Sequence, residues 1–222
     1  MDVETLTGEP EGSSSSSRCV YCDIVNSRPL YPTRDIFGDD WMIRCCGSCS
    51  ARILSPQPTP EQLSNAYAEE YYGKGQDKFD ASIEKVLDQF RKKCARRLNQ
   101  YMKAPGKVLD VGCGNGRFLY FMQELGHQIY GLEMSGGSAE RAKKIAGLTI
   151  KLGQLKTGDF MANTFDAITL HHVFEHLTEL RNYLDIICDI LKPGGHLVIS
   201  FPNIDSLQSR VFKGHWFHLD PP

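Results

Sequence analysis

Three glycines at alternating positions follow a short apolar run near the middle of the chain. Residues Lys107–Val111 are mainly apolar and β-branched, which predicts a strand buried on both faces. Gly112, Gly114 and Gly116 come directly after it, and a helical pattern opens at Arg117. A strand that turns sharply into a helix aims free backbone N–H groups into the crevice, and glycines let a ligand approach them. The spacing predicts a nucleotide-type pocket at the carboxyl end of a first strand.

A carboxylate complements this predicted pocket. The run Gln128–Glu133 is typical of the next strand, and its last residue, Glu133, would lie across the crevice from the glycines. A carboxylate in this place can accept hydrogen bonds from both ribose hydroxyls of a nucleoside. Because enzymes that bind NAD share the feature, Glu133 predicts a nucleoside site without selecting the cofactor.

The spacing of the glycines distinguishes two kinds of nucleotide binder. A dinucleotide site takes its glycines as G-x-G-x-x-G, and the third glycine would fall at Arg117. Here the third glycine comes one residue earlier, and Asp110 stands at the strand end before the loop. The pattern D-x-G-x-G-x-G resembles the first motif of the class I methyltransferases that use S-adenosylmethionine (SAM).

This resemblance implies that SAM is the cofactor and that the glycine loop wraps its methionine end. Family members often place an acid after the third strand to bind the adenine amino group, whereas this sequence has Gln154. Tyr72 matches a tyrosine that lies near the cofactor or substrate in similar proteins; alternatively, it packs the linker on the main domain. The residues predicted to bind the cofactor are Asp110, Gly112, Cys113, Gly114, Gly116, Glu133, Met134, Gln154, His171 and Tyr72.

Titratable side chains follow the fourth predicted strand, Phe165–Leu170. His171, His172, Glu175 and His176 fall within the next six residues, and histidine is the side chain best suited to moving a proton near neutral pH. The segment resembles the family's motif that passes the transferable methyl group. We predict that His176 and Glu175 are catalytic, with His172 as a third candidate. The alternative is that Glu175 and His176 cap the next helix and meet the cofactor only through their backbone.

A tight turn, Leu-Lys-Pro-Gly-Gly, precedes a fifth strand at His196–Phe201 and is a third match to the same family. Together the matches imply an α/β fold, a Rossmann-like three-layer α/β/α methyltransferase domain. Its sheet is expected to be mostly parallel, with a strand order that reverses at the first strand. Family members normally add two more strands, but this sequence stops after an aromatic segment that begins at His215. We therefore expect the C-terminal strands to be missing from it.

Two C-x-x-C pairs near the N-terminus could bind a metal. Cys19 and Cys22 form the first pair, and Cys46 and Cys49 form the second. Four thiolates are a closed tetrahedral ligand set, so we predict a structural Zn²⁺ without a catalytic role. Cys45 lies beside Cys46 and could replace it as a ligand, although the spacing favours Cys46. The alternative is two turns that carry incidental reduced cysteines.

The chain is predicted to have four regions. These are a disordered tail at residues 1–17, a zinc-ribbon-like module at 18–55, a linker with a short helix at 56–76 and the SAM-binding methyltransferase domain at 77–222. The short helix is expected to begin with Thr59 as its N-cap and Pro60 at its first position.

A long amphipathic helix is predicted to open the last region, over Asp77–Met102. Its basic cluster is read as a solvated face or, less simply, as a phosphate contact. The cluster comprises Arg91, Lys92, Lys93, Arg96 and Arg97. The helix is also predicted to carry one continuous apolar stripe, formed by Phe79, Ile83, Val86, Leu87, Phe90, Cys94, Leu98 and Tyr101.

Composition and charge narrow the set of possible functions and locations. The net charge of −2 and the pI near 6.4 give no nucleic-acid signature, and no run is long and apolar enough to span a membrane. No secretory signal is visible, so a cytoplasmic location is expected and the eight cysteines are read as thiols or metal ligands. The oligomeric state is not predicted.

The acceptor is predicted from a second resemblance. The stretch Arg44–Tyr72 resembles the segment after the zinc knuckle in a methyltransferase subgroup of polysaccharide, deoxysugar and other small-metabolite pathways. We therefore predict methyl transfer from SAM to a small molecule, a sugar or a polysaccharide or metabolite intermediate. The alternatives are a SAM-binding pseudoenzyme or partner-docking module, and an RNA or protein methyltransferase.

Overall fold

The computed structural model describes residues 18–35, 37–66, 81–177, 179–216 and 219. The chain divides into two compact units, Met1–Pro58 and Thr59–Asp220. The predicted tail at 1–17 and Tyr72 lie outside the described residues.

The first unit contains a three-stranded antiparallel sheet in the order β1-β2-β3. The strands are β1 (Ser27–Arg34), β2 (Asp40–Cys46) and β3 (Arg52–Ser55). The turn between β1 and β2 is fixed by the buried carboxylate of Asp35, which accepts a hydrogen bond from the Trp41 indole N–H at 2.9 Å. The buried core beside the cysteines is small, so a bound metal would add the folding energy that it lacks.

The second unit begins with two helices. In α1 (Pro60–Ala66), the predicted cap is confirmed, because the Gln62 N–H donates to the Thr59 hydroxyl and the Thr59 N–H donates to the Gln62 side chain, at 3.2 and 2.9 Å. The long helix is α2 (Ala81–Met102), and the predicted residues 77–80 before it lie outside the described residues.

A five-stranded parallel sheet forms the centre of this unit. Its strands are β4 (Lys107–Val111), β5 (Gln128–Glu133), β6 (Thr149–Leu152), β7 (Phe165–His171) and β8 (Leu191–Ser200). The order is β6-β5-β4-β7-β8, so the strand order reverses at β4 as predicted. The helices that connect these strands are α3 (Arg117–Glu124), α4 (Gly137–Ala142) and α5 (Leu180–Ile190), and α6 (Leu207–Phe212) follows β8.

Helices cover both faces of the sheet, which confirms the predicted three layers. On one face, residues of α2 and α3 such as Leu98 and Leu119 pack on Val108 of β4. On the other face, α5 packs through Ile187 on the side that includes Leu109. A strand buried on both faces must be apolar throughout, which is why these segments could be identified from the sequence.

The predicted continuous stripe on α2 is wrong in part. The helix packs on the unit through a face that carries Ala95, which was not in the stripe, and Leu98. Val86 and Phe90 of the stripe are each 65% exposed. An apolar pattern defines a helix face but not which part of that face meets the sheet.

The predicted Leu-Lys-Pro-Gly-Gly turn lies within a strand rather than before it. Pairing of β7 with β8 jumps from Phe165 beside Leu191 to Ala167 beside His196, so the turn is an excursion in β8. The Lys192 ammonium bonds the Asp166 carboxylate at 2.8 Å and holds the excursion on the sheet.

Candidate functional site

The predicted site residues gather at one edge of the sheet. Parallel strands present their carboxyl ends together, and the reversal at β4 opens a crevice there. The glycine loop follows β4, Glu133 ends β5 and His171 ends β7, so the carboxylate and the imidazole flank the loop on opposite sides.

The three loop positions, Gly112, Gly114 and Gly116, differ in what a side chain there would contact. All adopt positive φ, at 70° for Gly112, 57° for Gly114 and 74° for Gly116. A Cβ at Gly112 would lie 2.3 Å from a methyl carbon of Val173, and a Cβ at Gly116 would lie 2.7 Å from one of Ile145. A Cβ at Gly114 would meet no described atom within 4 Å. The first and third glycines therefore permit packing, whereas the second borders open space that a ligand could fill.

Glu133 braces the loop as well as facing the crevice. Its carboxylate accepts the Gly114 N–H at 2.5 Å through Oε2 and the Met134 N–H at 3.0 Å through Oε1. Burial raises the pKa of Glu133, and the two N–H donors partly oppose that effect. Each carboxylate oxygen keeps a second lone pair, so the side chain can still accept hydrogen bonds from a diol. The sequence did not predict the bracing contact.

Asp110 is buried within the strand rather than open to the crevice. It is 3% exposed, and the hydroxyl of Thr169 donates to its carboxylate at 2.6 Å. Burial raises the pKa of Asp110 to about 7; the Thr169 hydrogen bond lowers it and repulsion from Glu133 raises it further. An ionised carboxylate is unfavourable when buried, and a cation near Asp110 would offset that unfavourable energy. The position therefore suits a positively charged ligand. The sequence signal for Thr169 was a polar residue among the apolar residues Ala167, Ile168 and Leu170 of β7. The structure places Thr169 in register with Asp110.

Cys113 is directed into the protein. Its sulfur would lie 2.7 Å from a Cβ built at Gly131 of β5, and burial raises the pKa of its thiol well above the ordinary value. Its N–H donates to the carbonyl of Leu132 at 3.1 Å, and its own carbonyl accepts the Gly116 N–H at 2.9 Å. The side chain of Cys113 therefore packs behind the loop and both of its backbone groups are engaged within the protein, and its contact with the cofactor stays a prediction.

Arg117 occupies the position that a dinucleotide binder gives to glycine. Its guanidinium forms an ion pair with Asp88 of α2, with Nε 3.2 Å from a carboxylate oxygen, and lies over the Tyr120 ring at 5.0 Å. Asp88 also accepts a hydrogen bond from Arg91, which pairs with Glu84 as well. The basic cluster on α2 is thus partly neutralised, and α2 is tied to the first turn after the loop.

The two adjacent histidines have opposite surroundings. The His171 ring is partly buried, with Nδ1 hydrogen-bonded to the Ser200 hydroxyl at 2.9 Å, and burial lowers its pKa, assisted by repulsion from His172. His172 has a left-handed backbone, with φ of 55°, and its Nδ1 lies 3.5 Å from a carboxylate oxygen of Glu175. Glu175 raises the pKa of His172 by hydrogen bonding to it and by its charge. A strained backbone at such a pair is typical of a functional position.

Glu175 and His176 lie on a 3-10 helix, Phe174–His176, directly after the histidine pair. The following helix has Glu179 as its N-cap, without a side-chain capping hydrogen bond. The alternative that Glu175 and His176 cap this helix is therefore wrong. The structure brings Glu175 to His172 and places His176 at the exposed end of the turn.

The remaining predicted cofactor residues lie at the same edge. Met134 is exposed directly after Glu133, and Gln154 is exposed two residues after the end of β6. The Gly153 N–H donates to the carbonyl of Glu133 at 2.8 Å, which holds this turn beside the end of β5.

The four cysteines of the first unit converge. The sulfurs of Cys19, Cys22, Cys46 and Cys49 all lie within 4.8 Å of one another, and two pairs are 3.6 Å apart. Four thiolates around one zinc ion are spaced by about 3.8 Å, because each Zn–S bond is about 2.3 Å. The ligand set and its spacing therefore fit Zn²⁺. Cys45 is not in the cluster; its sulfur accepts a hydrogen bond from Arg52 at 3.0 Å.

The fold and the residues at the carboxyl edge of the sheet define a class of protein. A parallel sheet with the order β6-β5-β4-β7-β8, a glycine loop at the reversal and an acid at the end of the neighbouring strand form a nucleoside-binding α/β domain. Among the described helices, none combines the length and the apolar character that crossing a bilayer requires.

The sequence profile of the methyltransferase domain matches residues 83–221, more than half of the chain. The chain belongs to this methyltransferase family, as its motifs predicted. It is 36% identical over 101 residues to the mitochondrial ubiquinone biosynthesis O-methyltransferase of Schizosaccharomyces pombe, covering 42% of this chain and 37% of that protein. The corresponding human protein is 32% identical over 108 residues, covering 44% of this chain and 29% of that protein.

The chain spans less than half the length of these curated relatives. A solved structure, that of the PH0226 protein from Pyrococcus horikoshii OT3, superposes with a TM-score of 0.54 at 24% identity, over 65% of this chain and 71% of that one. The superposition confirms the predicted Rossmann-like fold.

Proposed function

We propose that this chain binds SAM in the crevice at the carboxyl edge of the sheet and transfers its methyl group to an oxygen of a small molecule. The contact between Gly114 and Glu133 carries the proposal, because it brings the open position of the loop beside the acid that suits a ribose. Bound SAM would supply an electrophilic methyl group, so the protein needs only to orient the reactants and remove a proton.

The charge at the site supports a cationic cofactor. Burial raises the pKa of both Asp110 and Glu133. The described hydrogen-bond donors to these carboxylates are uncharged: the Thr169 hydroxyl and the N–H groups of Gly114 and Met134. The sulfonium and ammonium groups of SAM would supply positive charge. NAD would bring a pyrophosphate instead, and the side chain at the dinucleotide glycine position, Arg117, is turned to Asp88.

His172 and Glu175 are proposed to remove the acceptor proton. Nδ1 of His172 faces the Glu175 carboxylate, so Nε2 on the other side of the ring is left to accept a proton from a hydroxyl. His176 lies one residue beyond Glu175 and remains a predicted catalytic residue.

The acceptor is proposed as a small molecule with a hydroxyl group. The curated relatives are named as O-methyltransferases of ubiquinone biosynthesis, which supports an oxygen acceptor and gives no support to a sugar or polysaccharide. The sugar acceptor, the pseudoenzyme and the RNA or protein substrate remain sequence-based predictions, as does the cytoplasmic location.

Calorimetry on the full chain tests the cofactor. We expect SAM and S-adenosylhomocysteine to bind to the wild type and to bind more weakly to Glu133→Ala, whereas NAD should give no heat. Tight binding of NAD with no binding of SAM would overturn the proposal. Mass spectrometry after incubation with SAM and a panel of phenols, alcohols and sugars then identifies the methylated atom.

We further propose that the four-cysteine cluster holds one structural Zn²⁺. The convergence of four sulfurs at the spacing of a tetrahedral site supports this. Such a closed set has no open position, so its contribution would be the stability of the three-stranded sheet.

A further inference from the structure

We propose that Ser200 is a positioning residue that fixes the imidazole of His171 against the glycine loop and thereby sets the affinity for SAM. The inference rests on the proposed function, because it takes SAM as the ligand of that loop. Ser200 ends β8 and pairs in register with His171 at the end of β7.

Ser200 contacts both histidines. Its hydroxyl is hydrogen-bonded to Nδ1 of His171 at 2.9 Å, and its backbone carbonyl accepts the N–H of His172 at 2.8 Å. Only the first contact needs the side chain, so a change at this position acts on His171 and leaves the backbone bond to His172 in place.

The His171 ring has a single polar contact that sets its orientation. Its Nε2 is buried and has no hydrogen-bond partner in the described structure. Its other close ring contact is a T-shaped arrangement with the Phe118 ring, at 4.8 Å between centroids. Without the Ser200 hydroxyl, no hydrogen bond within the described residues would hold this ring.

The ring lies against the elements that shape the cofactor loop. Phe118 is the second residue of α3, the helix that begins directly after Gly116. Two residues after His171, Val173 fills the space in which Gly112 would carry a Cβ. The segment from His171 to Val173 therefore packs on both ends of the loop, and Ser200 holds that segment from β8.

The test is a matched pair of variants, Ser200→Thr and Ser200→Val, which have nearly the same shape and differ in the hydroxyl. We expect the Kd for SAM, measured by calorimetry, to stay near the wild-type value in S200T. It should rise about three- to tenfold in S200V, since one neutral hydrogen bond has that effect on an equilibrium. Ser209→Ala, at a buried serine of α6, is the control and should bind SAM as the wild type does.

The ¹⁵N spectrum of the histidine rings gives an independent readout. The His171 nitrogens should shift in S200V and keep their positions in S200T, while the pH profile of turnover, which reports on His172, stays unchanged. Equal SAM affinity in S200T and S200V, or an equal loss in S209A and S200V, would overturn the inference. If the wild type itself fails to bind SAM, the proposed function fails instead.

Discussion

Asp110→Asn tests whether the carboxyl at the end of β4 is kept neutral by its surroundings. Asn has the shape of a protonated carboxyl and keeps an oxygen that can accept the Thr169 hydroxyl hydrogen bond. The wild type must bury a charge at high pH, whereas the variant never does. The two proteins should therefore differ in the pH dependence of their stability.

The size of the effect follows from the pKa of Asp110, which burial raises from 3.8 to about 7. Because the folded state binds this proton more tightly than the unfolded state, the stability that it contributes is complete below pH 3.8 and is lost as the pH rises through 7. Between pH 5 and pH 8 the wild type should lose about 3 kcal/mol relative to the variant, at about 1.4 kcal/mol for each pH step up to 7.

Urea denaturation of both proteins without SAM, at pH 5, 6, 7 and 8, measures this difference. The gap in unfolding free energy should favour Asp110→Asn increasingly with pH, and protons bound elsewhere in the molecule should largely cancel in the comparison. Thr169→Val is a useful companion, because removing the hydroxyl should raise the pKa of Asp110 further, so the loss of stability should continue to a higher pH at the same slope. Parallel stability curves for the wild type and Asp110→Asn would refute the reasoning.

Other predictions follow from the same geometry. Elemental analysis should find one zinc ion per chain in the wild type and in Cys45→Ser, and none in Cys46→Ser; equal zinc content in the two variants would refute the assigned ligands. Glu175→Gln should lower the pKa of His172 and move the acid limb of the pH–rate profile to lower pH, and an unmoved limb would exclude the pair. In calorimetry and thermal unfolding, Gly112→Ala should cost about 3 kcal/mol of stability through its clash with Val173. Gly114→Ala should cost about 1 kcal/mol of stability but block SAM binding. A larger loss of stability in Gly114→Ala than in Gly112→Ala, with SAM binding kept, would contradict the roles given to the two glycines.

The sequence alone predicted the parallel sheet with its strands β4, β5 and β7, and the edge of the sheet at which the candidate site residues gather. Strands buried on both faces must be apolar throughout, so β4, β5 and β7 were visible as short runs that end at chemistry-bearing residues. The glycine spacing also excluded a dinucleotide site, which would need a glycine where this chain has Arg117. This could be read from the sequence because the positive φ angles of the loop depend on which residues are glycine.

Tertiary structure decided which side chains face one another. The contacts of Glu133 with the Gly114 N–H, of Asp110 with Thr169 and of His171 with Ser200 join residues from 19 to 59 positions apart. No local pattern encodes these pairs, because they depend on strand register and on the packing of whole elements. Cys45 and Cys46 are a different case, because the C-x-x-C spacing already favoured Cys46. The folded sheet agrees with that spacing: adjacent residues on a strand point to opposite faces, and the Cys46 sulfur joins the other three while the Cys45 sulfur meets Arg52.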